Sequence, residues 1–162
     1  MPDRTRNLSE FQDPLENYEP PTYDDPLEQA LAEETVSVIQ SIPFAKVTPA
    51  TPIGEAVEML ANLHGSCLLV EDEGRLVGVF TDRDVLDKVA LGYDDAKTRT
   101  VSSVMTHDPV YVYDTDSLAA ALTVMAVSGF RYVPVVDHDG KILGIVSPQR
   151  VTGFLRRVFD AN

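Results

Sequence analysis

The chain writes one pattern twice, and that repeat constrains its fold more than any other feature. GVFTDRD (78–84) reads as a buried strand that stops at a threonine and turns into a helix; GIVSPQR (144–150) repeats it 66 residues later, with an arginine in place of the last aspartate. In the first copy IGEAVEML (53–60) carries apolar residues at helical spacing, and CLLV (67–70) and RLVGVF (75–80) read as strands around an EDEG turn (71–74). The second copy supplies LAAALTVM (118–125), VPVV (133–136) and KILGIV (141–146) around DHDG (137–140). The offset is 65 in the helices and 66 from Cys67 and Val133 onward, a one-residue change that a loop absorbs.

Short apolar pieces precede each copy, AKV (45–47) and VYV (110–112), the latter led in by VSSVM (101–105). A closing amphipathic helix follows, with Val85, Leu86, Val89 and Ala90 in one copy and Val151, Phe154, Leu155, Val158 and Phe159 in the other. Each unit is thus strand, helix, strand, strand, helix. One unit leaves a sheet face bare, whereas two packed sheet to sheet bury both. The expected fold is α+β, two layers related by pseudo-twofold symmetry. Repeat boundaries fall at 36–92 and 100–159.

Residues 1–34 form a separate acidic arm. They carry ten acids and two bases, a net −8 of the total −13, which leaves −5 for the remaining 128 residues. The first 24 are proline-rich and aperiodic, the composition of a disordered segment or one strapped to a partner through Leu8, Phe11, Leu15, Tyr18 and Tyr23. A helix is expected from about Asp25, with Asp25 as N-cap, Pro26 at the first helical position, and Leu27, Ala30, Leu31 and Val38 on one side.

The charge argues against nucleic acid and against an anionic membrane surface, since both require a basic face. No apolar run reaches the roughly 18 residues that cross a bilayer, and MPDR (1–4) begins no signal peptide; a cytoplasmic protein is expected. Cys67 has no cysteine partner and sits where a small core residue is wanted.

The doubled pattern resembles the CBS domain, the module named after cystathionine β-synthase, and specifically a tandem CBS pair. The resemblance covers residues 36–159 and rests on VMTHDPV (104–110), GFRYVPVVD (129–137), DGKILGIVS (139–147) and GRLVGVFTDRD (74–84). It implies a regulatory module that binds adenosine-containing ligands, often as a homodimer of pairs, and acts on another protein. It also implies which residues would bind. One site would combine Val79, Thr81, Arg83 and Asp84 with Asp108, Pro109, Val110 and, near the phosphate, Arg131. The pseudo-symmetric one would combine Ile145, Ser147 and Arg150 with Pro43, Phe44 and Ala45, and lacks the family aspartate.

Two readings of these residues compete. TDRD (81–84) makes a capping box, threonine at N-cap with a carboxylate at N3, and needs no ligand. The same carboxylate suits a ribose diol, and Thr81 with the helix amides suits a phosphate. In SPQR (147–150) the cap logic half fails, because Arg150 sets a cation at the helix end that repels cations; a bound anion would remove the objection. Asp84 opposite Arg83 and Arg131 neutralises a triphosphate poorly, which favours AMP or S-adenosylmethionine over ATP.

No catalytic constellation is present and no enzyme activity is expected. His64, His107 and His138 have no Cys or His at metal-ligand spacing, the acidic turns at 71–73 and 137–139 read as solvated hairpin tips, and there is no glycine-rich phosphate loop. No cofactor or metal is called for. The leading expectation is an adenosine-ligand sensor that changes shape or association on binding. The alternative is a ligand-free dimerisation or interaction module that uses the acidic arm.

Overall fold

Asp25 starts the first ordered element as its composition suggests: its carboxylate accepts from the Leu27 amide at 2.7 Å, and Pro26 opens helix α1 (Pro26–Glu33). In the computed structural model, which describes residues 18–40, 42, 44–63 and 67–161, α1 is followed by β1 (Lys46–Val47), α2 (Ile53–Asn62), β2 (Cys67–Asp72) and β3 (Arg75–Thr81). A helical run then passes through α3 (Asp82–Asp84), a π-helical turn (Val85–Val89), a 3-10 turn (Ala90–Gly92) and α4 (Tyr93–Ala96). The second copy comprises β4 (Thr106–His107), β5 (Val112–Tyr113), α5 (Leu118–Ser128), β6 (Val133–Val136), β7 (Ile142–Val146) and α6 (Pro148–Asp160). Leu8, Phe11 and Leu15 of the arm, Pro43 and His64 lie outside the described residues.

The strands form two sheets, β1-β2-β3-β4 and β5-β6-β7. In each, the short first strand pairs parallel and the long hairpin antiparallel. Glu73 and Gly74, both at positive φ, make the two-residue turn whose twist matches a hairpin, which is why glycine sits there. Both hairpins carry a bulge at the same place: Val70 pairs Gly78 while Glu71 pairs Leu76, and Val135 pairs Gly144 while Val136 pairs Ile142. The bulge changes which face the following residues take. Val77 and Phe80 therefore pack with α2, whereas Leu76 and Val79 turn to the other sheet, where they meet Leu69, Ile142 and Ile145. That cluster is the sheet-to-sheet contact of an α+β pair.

The two halves also exchange their lead-in segments. Val36, fully buried, sits with Val112, Leu118 and Val135 in the core of the second copy. Val101, 65 residues later and equally buried, sits with Ile53, Leu68 and Phe80 in the core of the first. The backbone bonds match. Val36 N–H donates to the Asp116 carbonyl at 2.9 Å and Val101 N–H to that of Thr51 at 2.8 Å; Leu118 and Ile53 donate back to Glu34 and Arg99. The repeats in sequence and the cores in space are thus offset, so residue 36 opens the first repeat but fills the second core.

Three local expectations change. Val38 does not continue the α1 face: α1 ends at Glu33 and Val38 lies in a separate 3-10 turn (Val36–Val38), 44 % exposed. α1 itself is part of the fold, with Ala30 and Leu31 packed on the second core. The first closing helix is not regular: it runs through a π-helical turn at Val85–Val89 and a 3-10 turn at Ala90–Gly92, and Leu86 points to solvent; α6 is unbroken, with Phe159 exposed at its end.

Because the lead-ins are exchanged, Val101→Ala is expected to loosen the first half and Val36→Ala the second. Each should cost about 2 kcal/mol, two methyl groups plus a residual cavity. Hydrogen exchange will show it: Val101→Ala lowers protection in β2 and β3, and Val36→Ala in β6 and β7. Loss confined to the mutated residue's own sequence repeat would contradict the exchange.

Candidate functional site

β3 hands over to α3 at Thr81, whose extended backbone makes it the N-cap. The Asp84 amide donates to Thr81 Oγ1 at 3.3 Å, while Asp84 Oδ2 accepts from the Thr81 amide at 2.9 Å and from its hydroxyl at 2.8 Å. The capping box is complete. Asp84 is nevertheless only 6 % exposed, and a buried carboxylate needs a cation as well as hydrogen bonds. Lys88 supplies it from the π-helical turn, with Nζ 2.6 Å from Asp84 Oδ1 and 2.7 Å from the Val104 carbonyl oxygen. Lys88 thereby ties the helix to the lead-in of the second copy.

Opposite this corner the second copy contributes two segments. The run between β4 and β5 brings Pro109 and Val110, and the run after α5 begins at Gly129, whose φ of 68° ends the helix in the left-handed conformation glycine favours. It continues through Phe130, Arg131 and Tyr132. Between the two halves lies a cavity of about 340 Å³, within the range of roughly 300–1,000 Å³ usual for small-molecule sites. Val79, Thr81, Arg83 and Asp84 line it from the first copy; Pro109, Val110 and Arg131 line it from the second. Asp108 is not in the lining: it is exposed, at φ 44°, and its amide donates to the Val77 carbonyl at 3.3 Å. His107 turns away too, its Nε2 2.9 Å from the Ser102 carbonyl oxygen.

The lining also holds residues that sequence reasoning did not name, chiefly Lys88, Asp82, Asp87, Phe130 and Tyr132. Lys88 had a signal, since it stands four residues after Asp84 on a helix, the spacing of an ion pair. Phe130 and Tyr132 had none apart from their place beside Arg131. The cavity's charges balance. Arg83 Nε approaches Asp87 at 3.5 Å and Lys88 pairs with Asp84, while Asp82 and Arg131 have no ion-pair partner among the described residues.

The second predicted set is not gathered in the same way. Phe44 and Ile145 pack in the sheet-to-sheet cluster and Ala45 against the first core. Ser147 caps α6 without a side-chain hydrogen bond, and the Arg150 amide donates to the Ser147 carbonyl at 3.1 Å. None of these residues lines the cavity above or the wider groove of about 480 Å³ beside α1 and α6, where Val38, Phe154 and Val158 lie. Among the described residues no cluster of His, Cys, Asp and Glu is placed to hold a metal ion, and no helix is long and apolar enough to cross a membrane.

Two CBS domain matches, to residues 36–91 and 101–157, coincide with the two copies. The chain belongs to the CBS domain family. As a tandem CBS pair it is 34 % identical over 113 residues to the 17.7 kDa protein in the bps2 3′ region of Acidianus ambivalens, covering 69 % of this chain and 67 % of that one. It is similar in structure to the CBS-pair protein CBSX2 from Arabidopsis thaliana (27 % identity, TM-score 0.71, 78 % of this chain and 97 % of that one). The structure of CBSX2 in complex with AMP is also similar, at 29 % identity and a TM-score of 0.68, over 77 % of this chain and 98 % of that one. The chain spans about a fifth of the length of the CBS domain-containing Arabidopsis relatives that it matches.

Cys67, paired in register with Thr81 at the edge of this site, is the one group here whose acidity moves far. Burial, then the charges of Asp84 and Asp82, push its thiol from 9.0 up to about 12. The unfolded chain therefore gives up this proton near pH 9 while the folded chain keeps it. The contribution to stability is complete below pH 9 and is lost as pH rises toward 12. Urea unfolding at pH 7 and pH 10.5 is expected to show a steeper loss for the wild-type CBS pair than for Cys67→Ala; equal losses would refute the shift.

Proposed function

We propose that this CBS pair is a regulatory sensor of an adenosine ligand carrying little negative charge, AMP foremost, bound in the cavity between its two copies. The observation that carries this reading is the cavity itself, a compartment of about 340 Å³ walled by both copies, with balanced charge. CBSX2, similar in fold, has been solved in complex with AMP. In this reading Val79, Pro109 and Val110 make the apolar slot for the purine, Asp84 meets the ribose, and Arg131 meets the phosphate. With three cations against three carboxylates in the lining, a monophosphate adds a charge that Arg131 can offset, whereas a triphosphate adds several that nothing offsets. The ligand alters the relative packing of the halves, or their association, only by as much as it prefers one arrangement; another protein would read that change.

Calorimetric titration with AMP, ADP, ATP and S-adenosylmethionine tests it. AMP is expected to bind more tightly than ATP, and Arg131→Ala to weaken AMP by about tenfold, the loss of a charge-assisted hydrogen bond, while leaving adenosine unchanged. No heat from any of the four at millimolar concentration would sink the proposal.

Exposed Leu86, Leu91 and Val127, the last 83 % exposed, favour a second reading in which the pair serves chiefly as a homodimerisation or interaction module. Removal of residues 1–24, which spares α1, separates the readings. A sensor keeps its AMP affinity; an arm-driven adaptor loses its association and shows no affinity to keep.

A further inference from the structure

The second core has an open side. The groove of about 480 Å³ between α1 and the last two turns of α6 is bordered by Pro26 at the start of α1 and Glu34 just past its end, by Phe154, Arg157 and Val158 of α6, and by Val38, which is 44 % exposed. Its lining is chiefly apolar, and its one cation, Arg157, has no ion-pair partner among the described residues, nor has the neighbouring Arg156. α6 carries three arginines against one aspartate, whereas α1 and α2 are acidic and α5 is uncharged. An apolar groove on the one net-basic helix of these four suits an acidic segment that carries large apolar side chains.

We propose that the occupant is this chain's own segment 8–17, with Phe11 and Leu15 covering Val38 and Val158, and the acids on either side of Leu15, Asp13 and Glu16, meeting Arg157. Three observations commit the groove to it. Residues 7–17 carry three acids and no base together with Leu8, Phe11 and Leu15, the complement of the groove in both charge and apolar surface. Asp13-Pro14-Leu15-Glu16 repeats Asp25-Pro26-Leu27-Glu28, the cap and first turn of the helix that packs against α5 and α6, so the sequence that starts an element beside α6 is written twice. The tether is also long enough. Leu15 stands eleven residues before Pro26, itself a wall of the groove; that length of chain reaches up to about 36–40 Å, against about 12 Å for the whole of α1. A tethered segment meets its own groove at an effective concentration of about millimolar, which favours this seat over the same groove on a second copy. The cavity beside Asp84 is the poorer seat for an acidic segment, because its charges already balance.

This inference stands apart from the adenosine reading, and the full chain tests it. The sequence has no tryptophan, so Phe11→Trp supplies a single reporter. Its emission is expected to be blue-shifted relative to the same protein in urea, and to be unchanged on dilution, since the seat is intramolecular. Val38→Asp and Arg157→Glu, both at exposed positions, are each expected to move the emission back toward the solvent value. Asp13→Arg together with Glu16→Arg restores the blue shift in the Arg157→Glu background, because the pairing is reversed and not removed. Hydrogen exchange gives a second measurement with the groove intact: Leu15→Asp is expected to speed exchange at residues 36–40 and in the last turn of α6 by roughly three- to tenfold, the loss of one seated apolar side chain. Emission typical of water in the isolated chain, or exchange that Leu15→Asp leaves unchanged, overturns the proposal and leaves the groove to a foreign partner. A blue shift that disappears on dilution places the segment on a second copy, and one that survives both groove variants but is lost on adding AMP places it in the ligand cavity; either result overturns it as well.

Discussion

The reciprocal seating of two valines holds this molecule together. Val36 plugs the core of the second half and Val101 the core of the first, each fully buried and each anchored by a backbone hydrogen bond to the strand-to-helix loop of the host half. Neither half can close its core without a segment supplied from the other side of the repeat. The sheets would still stack through Leu69, Val79 and Ile142, but apolar stacking is non-directional and does not set a register. The exchanged lead-ins set it. Gly78 shows how tight the arrangement is: a Cβ there would lie 2.5 Å from the Met105 sulfur and 3.0 Å from the Thr106 carbonyl oxygen.

The cavity follows from that register. The lead-in that delivers Val101 continues through Val104, whose carbonyl anchors Lys88, and then through Pro109 and Val110, which form one wall. The corner at Asp84 answers a question that the motif alone leaves open. Cap and site are not exclusive, because the carboxylate that closes the capping box also lines the cavity. Burying it without Lys88 would leave an uncompensated charge, so the lysine serves the fold as well as lining the cavity.

Much of this was legible in the sequence. The repeat, the hairpins and α2, α5 and α6 stand where periodicity puts them, and the Asp25-Pro26 start of α1 is read directly from cap chemistry. Those signals are local, each contained within a few residues. What was not legible depends on partners distant in the chain. Val38 matched the spacing of the α1 face, but pairing of Thr35 with Ser117 ends any helix before it. Asp108 belongs to the right segment, yet its backbone turns it out of the cavity, and Lys88 reaches Asp84 and the distant Val104 carbonyl from a π-helical turn.

By itself the sequence determined that two like halves would stack sheet to sheet, with a threonine-capped helix start in one and an arginine in the same place in the other. Only the tertiary structure decided that each half completes its core with the other's lead-in, that the cavity described forms beside Asp84, and that Phe44 and Ile145 pack into the sheet interface instead. The reason is physical. Periodicity and capping act over a single turn or strand, whereas burial and cavity shape are settled by which surfaces meet, and here those surfaces come from residues as far apart in the chain as Lys88 and Val104, Thr35 and Ser117, or Val36 and Val146.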